Sequence, residues 1–132
     1  MRLATWPRDR FGYFAPAPAW HYQTGRSTRP AERPHFISAP VRIARENARV
    51  FVNADGLTAE SRLRVEILSE QLVPLDGYSA DEAVPITESG FRQLAGWRRK
   101  TVLGHREQPI RVRVNWEGMR PEDARVYAVY VQ

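Results

Sequence analysis

A chain of 132 residues is one domain's worth of sequence, and the lack of any cysteine excludes a disulfide framework, a thiolate metal site and a thiol nucleophile. The formal charge is +5, but the excess belongs to residues 1–50, where nine arginines meet only Asp9, Glu32 and Glu46; residues 51–132 carry eleven basic against twelve acidic side chains. Nineteen of the twenty basic residues are arginine and they are strewn through a Pro-rich segment rather than gathered on one element with interleaved aromatics, so nucleic acid is not the expected partner.

The N-terminal residues Met1 to Pro7 hold no apolar stretch of signal-peptide length, and no run approaches the ~20 apolar residues that span a bilayer, so neither a signal peptide nor a membrane partner is expected. Up to position 40 the chain holds six of its ten prolines (Pro7, Pro16, Pro18, Pro30, Pro34, Pro40) together with Trp6, Phe11, Tyr13, Phe14, Trp20, Tyr22 and Phe36. Proline removes backbone donors and forbids a helix here, yet the segment is too aromatic for a plain linker. It reads as short extended pieces over 10–14, 19–23 and 35–38, packed on the rest of the domain, with an exposed polar loop over 24–34.

From Val41 the punctuation becomes regular. Extended pieces over 41–44 and 50–53 flank a short turn, and Ala54-Asp-Gly56 closes the second. The strongest segments are Ser61 to Glu70 and Ile110 to Trp116. In them Leu63, Val65 and Ile67, and Ile110, Val112, Val114 and Trp116, fall on one side of an extended chain, while Arg62, Arg64, Glu66, Arg111, Arg113 and Asn115 fall on the other. Such alternation belongs to half-buried antiparallel strands. Pro74 to Tyr78 is a turn in which Gly77 takes positive φ, 91–97 is a weaker strand interrupted by Gly96, and 124–131 is the last strand. Helical turns are expected only over 80–83 and 119–123. The expected fold is therefore all-β: one domain over 1–132, a two-sheet antiparallel sandwich of jelly-roll type with seven to nine strands. Residues 41–132 form its core, and the Pro-rich extended segment 1–40 is laid over an edge.

The order of Phe-Val-Asn-Ala-Asp-Gly (51–56), Leu-Arg-Val-Glu-Ile-Leu (63–68), Pro-Leu-Asp-Gly-Tyr-Ser (74–79), Ser-Ala-Asp-Glu-Ala-Val-Pro-Ile (79–86), Gly-Trp-Arg (96–98), Pro-Ile-Arg-Val-Arg-Val (109–114) and Ala-Arg-Val-Tyr-Ala-Val (124–129) resembles the C-terminal β-sandwich domain that follows the catalytic β-propeller in bacterial glycoside-hydrolase-like proteins. Arg-Asp-Arg-Phe-Gly-Tyr-Phe (8–14) is similar to the stretch through which such a chain leaves the propeller. The resemblance spans nearly the whole chain, although 26–34 is richer in proline and arginine than the pattern. These residues contain no propeller and hence none of its catalytic carboxylates. What the resemblance implies is a non-catalytic accessory sandwich whose partner is a catalytic propeller domain.

The reactive constellations of common enzymes are missing as well. His21, His35 and His105 are far apart and form no metal-binding spacing, and there is no nucleophile elbow or phosphate-binding loop. Glu66, Glu70, Asp76, Asp81, Glu82 and Glu88 show no spacing that selects an acid and base pair, and read as solvated charges. Asp76, Asp81 and Glu82 share one loop-rich region that offers oxygens to Ca²⁺, a weak candidate because no Asp-x-Asp-x-Asp-Gly loop is present; no cofactor is otherwise expected.

Aromatic side chains are the remaining candidates, since a flat ring in water stacks on the apolar face of a sugar. Trp116 continues the inward phase of its strand and belongs to the core. Phe51 and Tyr127 lie opposite in phase to their apolar neighbours, as in central strands covered on both sides. Trp20 and Tyr22 share one side of the N-terminal segment, where they either pack it down or form a ligand platform, and Trp97 precedes the basic run Arg98-Arg-Lys100, ordinarily a solvated loop, at a strand end where a ring is either exposed or buried. The sequence therefore leads to a weak glycan site at Trp20, Tyr22, Trp97 and Arg98 on a non-catalytic module of a carbohydrate-active protein. A different class of function is also open: a structural sandwich that assembles with copies of itself through its Arg- and Pro-rich N-terminal arm.

Overall fold

The computed structural model describes residues 9–18 and 33–132. The expected extended piece over 19–23 lies outside them. Among the described residues six strands form: β1 (His35–Ile37), β2 (Val50–Asp55), β3 (Arg62–Ser69), β4 (Gly90–Leu94), β5 (Ile110–Glu117) and β6 (Arg125–Val131). They build two antiparallel three-stranded sheets, ordered β1-β5-β3 and β4-β2-β6. No two consecutive strands pair. Each connection carries the chain to the opposite sheet, so the two sheets are sewn together along the whole domain, which is a two-sheet antiparallel β-sandwich.

Alternation decides which side chains meet between the sheets. Leu63, Val65 and Ile67 of β3 and Ile110, Val112, Val114 and Trp116 of β5 are buried from one side, facing Val50, Val52 and Ala54 of β2. In β6 the inward residues are Val126, Val129 and Val131, an odd step that strict alternation cannot produce. A register shift where β2 passes from Asn53 to Ala54 supplies the extra residue: Ala54 faces Val126, whereas Asn53 faces Ala128. The bulge thus keeps an apolar row toward the core on both of its sides. Trp116, buried as its phase predicts, donates its indole N–H to the Ala124 carbonyl at 3.0 Å.

Other pieces are shorter than the sequence suggests. Val41 makes a single bridge, to Ile110, because Pro40 has no donor and the chain turns over 45–47, so 41–44 is not a strand. Likewise Phe14 makes one bridge, to Val126, which extends the β6 edge of the second sheet. Of the two expected helical turns the second is a 3₁₀ turn at Pro121–Asp123, and the first is a single turn closed by the Ala83 N–H on the Ser79 carbonyl at 3.0 Å. Gly77 has a φ of +79°, as the turn required.

Gly118, just past β5, has a φ of +105°, and a Cβ placed there would lie 2.1 Å from the Glu60 carbonyl oxygen. That oxygen accepts the Arg120 N–H at 2.9 Å, so the turn cannot open without losing the bond. Gly118→Ala is expected to lower unfolding free energy by about 1–3 kcal/mol, measured by urea titration. A variant that unfolds at the wild-type midpoint would show that the turn adapts.

Candidate binding face

The side of the β4-β2-β6 sheet turned away from the core is where side chains without a packing duty collect. Phe51 of β2 lies between Leu94 of β4 and Tyr130 of β6 in the register, and Arg92 places its guanidinium 4.6 Å above the Phe51 ring. Beside them the N-terminal segment crosses the sheet. Arg10 is held there by two rings, its guanidinium carbon 4.4 Å from the centroid of Phe91 and 4.7 Å from that of Tyr127. Its Nε donates to Asn53 Oδ1 at 3.1 Å, and a terminal nitrogen lies 3.5 Å from Asp55 Oδ2. Tyr13 meets Tyr127 edge-on at 5.9 Å and takes the Arg125 guanidinium on its ring at 5.3 Å. A guanidinium over a ring is worth about 0.5–2 kcal/mol, so these stacked pairs cover β2 as a second layer would. They explain how Phe51 and Tyr127 can be apolar outside the core, although only β2 is the central strand expected and β6, which carries Tyr127, is an outer one.

The cover is incomplete. Between Asp9, Phe91, Arg92, Tyr130 and Gln132 it leaves a cavity of about 310 Å³ open to solvent. Phe91 is 51% exposed. The Tyr130 hydroxyl donates to Asp9 Oδ2 at 2.7 Å, and Arg92 donates to Gln132 Oε1 at 2.7 Å. The groove therefore combines two ring surfaces with a carboxylate, an amide and a guanidinium. Chemically it can stack on a ring-shaped ligand and exchange hydrogen bonds with its hydroxyls. Among the described residues it contains no pairing of nucleophile and base.

The structure distributes the sequence's candidate residues differently from the expectation. Trp97 is only 3% exposed, its indole N–H donating to the Val65 carbonyl at 3.0 Å and its ring packed edge-on against Tyr78 at 4.9 Å. It offers no face to a ligand. The reason is local: β4 ends at Leu94, and the next turn, closed by reciprocal backbone bonds between Trp97 and Lys100, rolls the ring inward. Arg98 is exposed on that turn, away from the groove lining. Trp20 and Tyr22 lie outside the described residues, as does His21. Asp76 and Asp81 are exposed, and Glu82 accepts from the Ser79 hydroxyl at 3.4 Å. No group of three or more His, Asp or Glu side chains able to hold a metal ion occurs among the described residues.

Glu66 departs from its expected role as a solvated charge. It is buried on the outer side of the β1-β5-β3 sheet, where Oε1 accepts the Ala80 N–H at 3.0 Å and Oε2 accepts Asn115 Nδ2 at 2.8 Å, with Arg113 Nε 3.5 Å away. Its neighbour Glu117, also buried, is approached by three guanidinium groups: Arg33, Arg64 at 2.9 Å and Arg62 at 3.5 Å. Arg64 in turn donates to the carbonyls of Ala80 and Ala83. The loop over 79–83 is thereby tied to the sheet, as a carboxylate taken out of water requires.

Sequence reasoning passed over Phe91, Arg92, Tyr130 and Asp9. No periodicity joins them: Asp9 and Tyr130 stand at opposite ends of the chain and touch only because the N-terminal segment crosses β6. The one available signal was the unexplained outward phase of Phe51 and Tyr127. No family model matches the chain, and neither the curated proteins nor the solved structures yield a match.

Proposed function

We propose that the chain is a non-catalytic carbohydrate-binding β-sandwich that serves as an accessory module to a carbohydrate-active, glycoside-hydrolase-like protein. The observation that carries this reading is the solvent-open groove on the outer side of the second sheet. A glycan needs flat apolar surface for the axial C–H groups of its ring and planar polar side chains for paired hydroxyls. Phe91 and Tyr130 supply the first; Asp9, Arg92 and Gln132 supply the second. The resemblance of the order of its sequence motifs to the sandwich that follows a bacterial catalytic propeller supports the accessory role, as does a groove whose polar groups are already hydrogen-bonded to one another rather than poised on a reacting atom.

The ligand residues in this reading are Phe91, Arg92, Tyr130, Asp9 and Gln132, in place of Trp97. A glycan array followed by titration calorimetry on the best neutral oligosaccharide tests it. Removing one stacking ring costs on the order of 1.4 kcal/mol, so Phe91→Ala and Tyr130→Ala are each expected to weaken binding about tenfold, with circular dichroism confirming that both variants are folded. An array without a hit, or affinity indifferent to both substitutions, overturns the reading.

A further inference from the structure

We propose that the outer side of the β1-β5-β3 sheet is a second binding surface, for an anionic polysaccharide whose carboxylate or sulfate groups complete the charge of an arginine cluster. The strands set the pattern. Alternate residues of β3 put Arg62 and Arg64 on this side, and alternate residues of β5 put Arg111 and Arg113 there, each pair spaced by about 6.7 Å along its strand. The register sets Arg62 against Glu117 and Glu66 against Arg113, which leaves Arg64 opposite Asn115 and Arg111 opposite Leu68. With Arg33 added, five guanidinium groups meet two carboxylates, Glu66 and Glu117, among the described residues.

The shortage of negative charge is sharpest around Glu117. Three guanidinium groups converge on it, and a single carboxylate neutralises one of them. Arg62 Nε is buried and lies 3.5 Å from Glu117 Oε2 without a hydrogen bond, and Arg111 Nε is likewise buried without a partner. Arg111 gives its terminal nitrogen to a neutral acceptor, the Ser38 carbonyl, at 3.1 Å. Side chains of Arg33 and Arg62 remain 69% and 38% exposed, so the uncompensated charge faces water. An incoming carboxylate or sulfate meets guanidinium donors already held in place by the sheet, the arrangement in which charge-assisted hydrogen bonds are strongest.

The same side argues for a polysaccharide over a nucleic acid. Single-stranded nucleic acid binds to stacking platforms as well as to charge. Here Phe36 turns inward to pack on Trp116 at 5.8 Å, and the imidazole of His35 is engaged by Arg113 at 3.2 Å, which leaves the strands without an open aromatic ring. A polyuronate asks only for spaced cations. This surface is separate from the groove of Phe91 and Tyr130, and neither depends on the other.

The test uses polygalacturonate, its fully methyl-esterified form and poly(dT) as probes, with the full chain in biolayer interferometry at several salt concentrations. Polygalacturonate is expected to bind, with a log–log salt slope of roughly −2, and the ester to bind at least about tenfold more weakly. Arg33→Gln/Arg62→Gln should lose about tenfold or more, whereas the charge-matched control Arg45→Gln/Arg99→Gln, on exposed loops, should lose less than about threefold; circular dichroism confirms that both variants are folded. Equal binding of acid and ester, equal losses in the two double variants, tighter binding of poly(dT) than of polygalacturonate, or no binding of the polyuronate each overturns the assignment. Neutral-glycan titrations of the Phe91 and Tyr130 variants report on the groove independently of every one of these results.

Discussion

Trp97→Ala should cost the domain about 3–5 kcal/mol, the largest single loss expected from any aromatic substitution in it. The indole packs against Tyr78, meeting that ring edge-on at 4.9 Å, and satisfies the Val65 carbonyl of the outer strand β3 at 3.0 Å. Alanine removes the ring volume and the donor together. The site cannot collapse to compensate, because the turn carrying Trp97 is fixed by its backbone bonds with Lys100 and by the Arg98 N–H on the Glu82 carbonyl. Trp97→Phe keeps most of the volume and the edge contact but not the N–H, and should cost about 1–3 kcal/mol. Urea titrations of the two variants give the separation directly. If the alanine variant unfolds within about a kcal/mol of wild type, the ring is not a core element, and the groove of Phe91 and Tyr130 would no longer be the better place for a ligand.

That contrast shows what a single sequence reveals of this fold. The strict alternation in Arg62–Ser69 and Ile110–Glu117 identified both strands, their buried sides and the all-β class, because burial on one side of a pleated strand imposes a period of two on the residues themselves. The phase of Trp116 was legible for the same reason. Trp97 was not, since it lies outside any periodic run and its direction is set by a turn whose backbone bonds leave no trace in composition. Nor could the groove be read. Its walls come from β4, β6 and the N-terminal segment, three stretches that are distant along the chain, and its cover depends on Arg10 reaching Asn53, 43 positions away. Register between distant strands is a property of packing, not of local pattern. The outward aromatic phases of Phe51 and Tyr127 were visible as an anomaly; that arginines rather than another layer would cover them was not.

Glu117→Gln should be the most damaging change of charge, with a loss of about 3 kcal/mol and a melting temperature lower by about 10 °C. The carboxylate is buried and accepts from Arg33 and from Arg64, with Arg62 alongside. An amide keeps the shape but presents one acceptor and two N–H donors, so at least one guanidinium faces a donor instead of an anion, and among the described residues the three positive charges keep no carboxylate between them. The loss falls at the lower end of what breaking a buried pair costs, because Arg33 and Arg62 can turn toward water. Salt distinguishes this cause from a packing defect. Screening relieves repulsion among the three arginines, so the Glu117→Gln variant should regain stability between about 0.05 and 0.5 M NaCl, on the order of 1 kcal/mol, while the wild type changes less. Thermal melts across that range measure the effect, and a deficit independent of salt would locate it in packing. Arg33→Gln should behave oppositely. Its side chain is mostly in water, so the lost attraction to Glu117 is worth at most about 1 kcal/mol and is partly offset by relief of repulsion from Arg62 and Arg64.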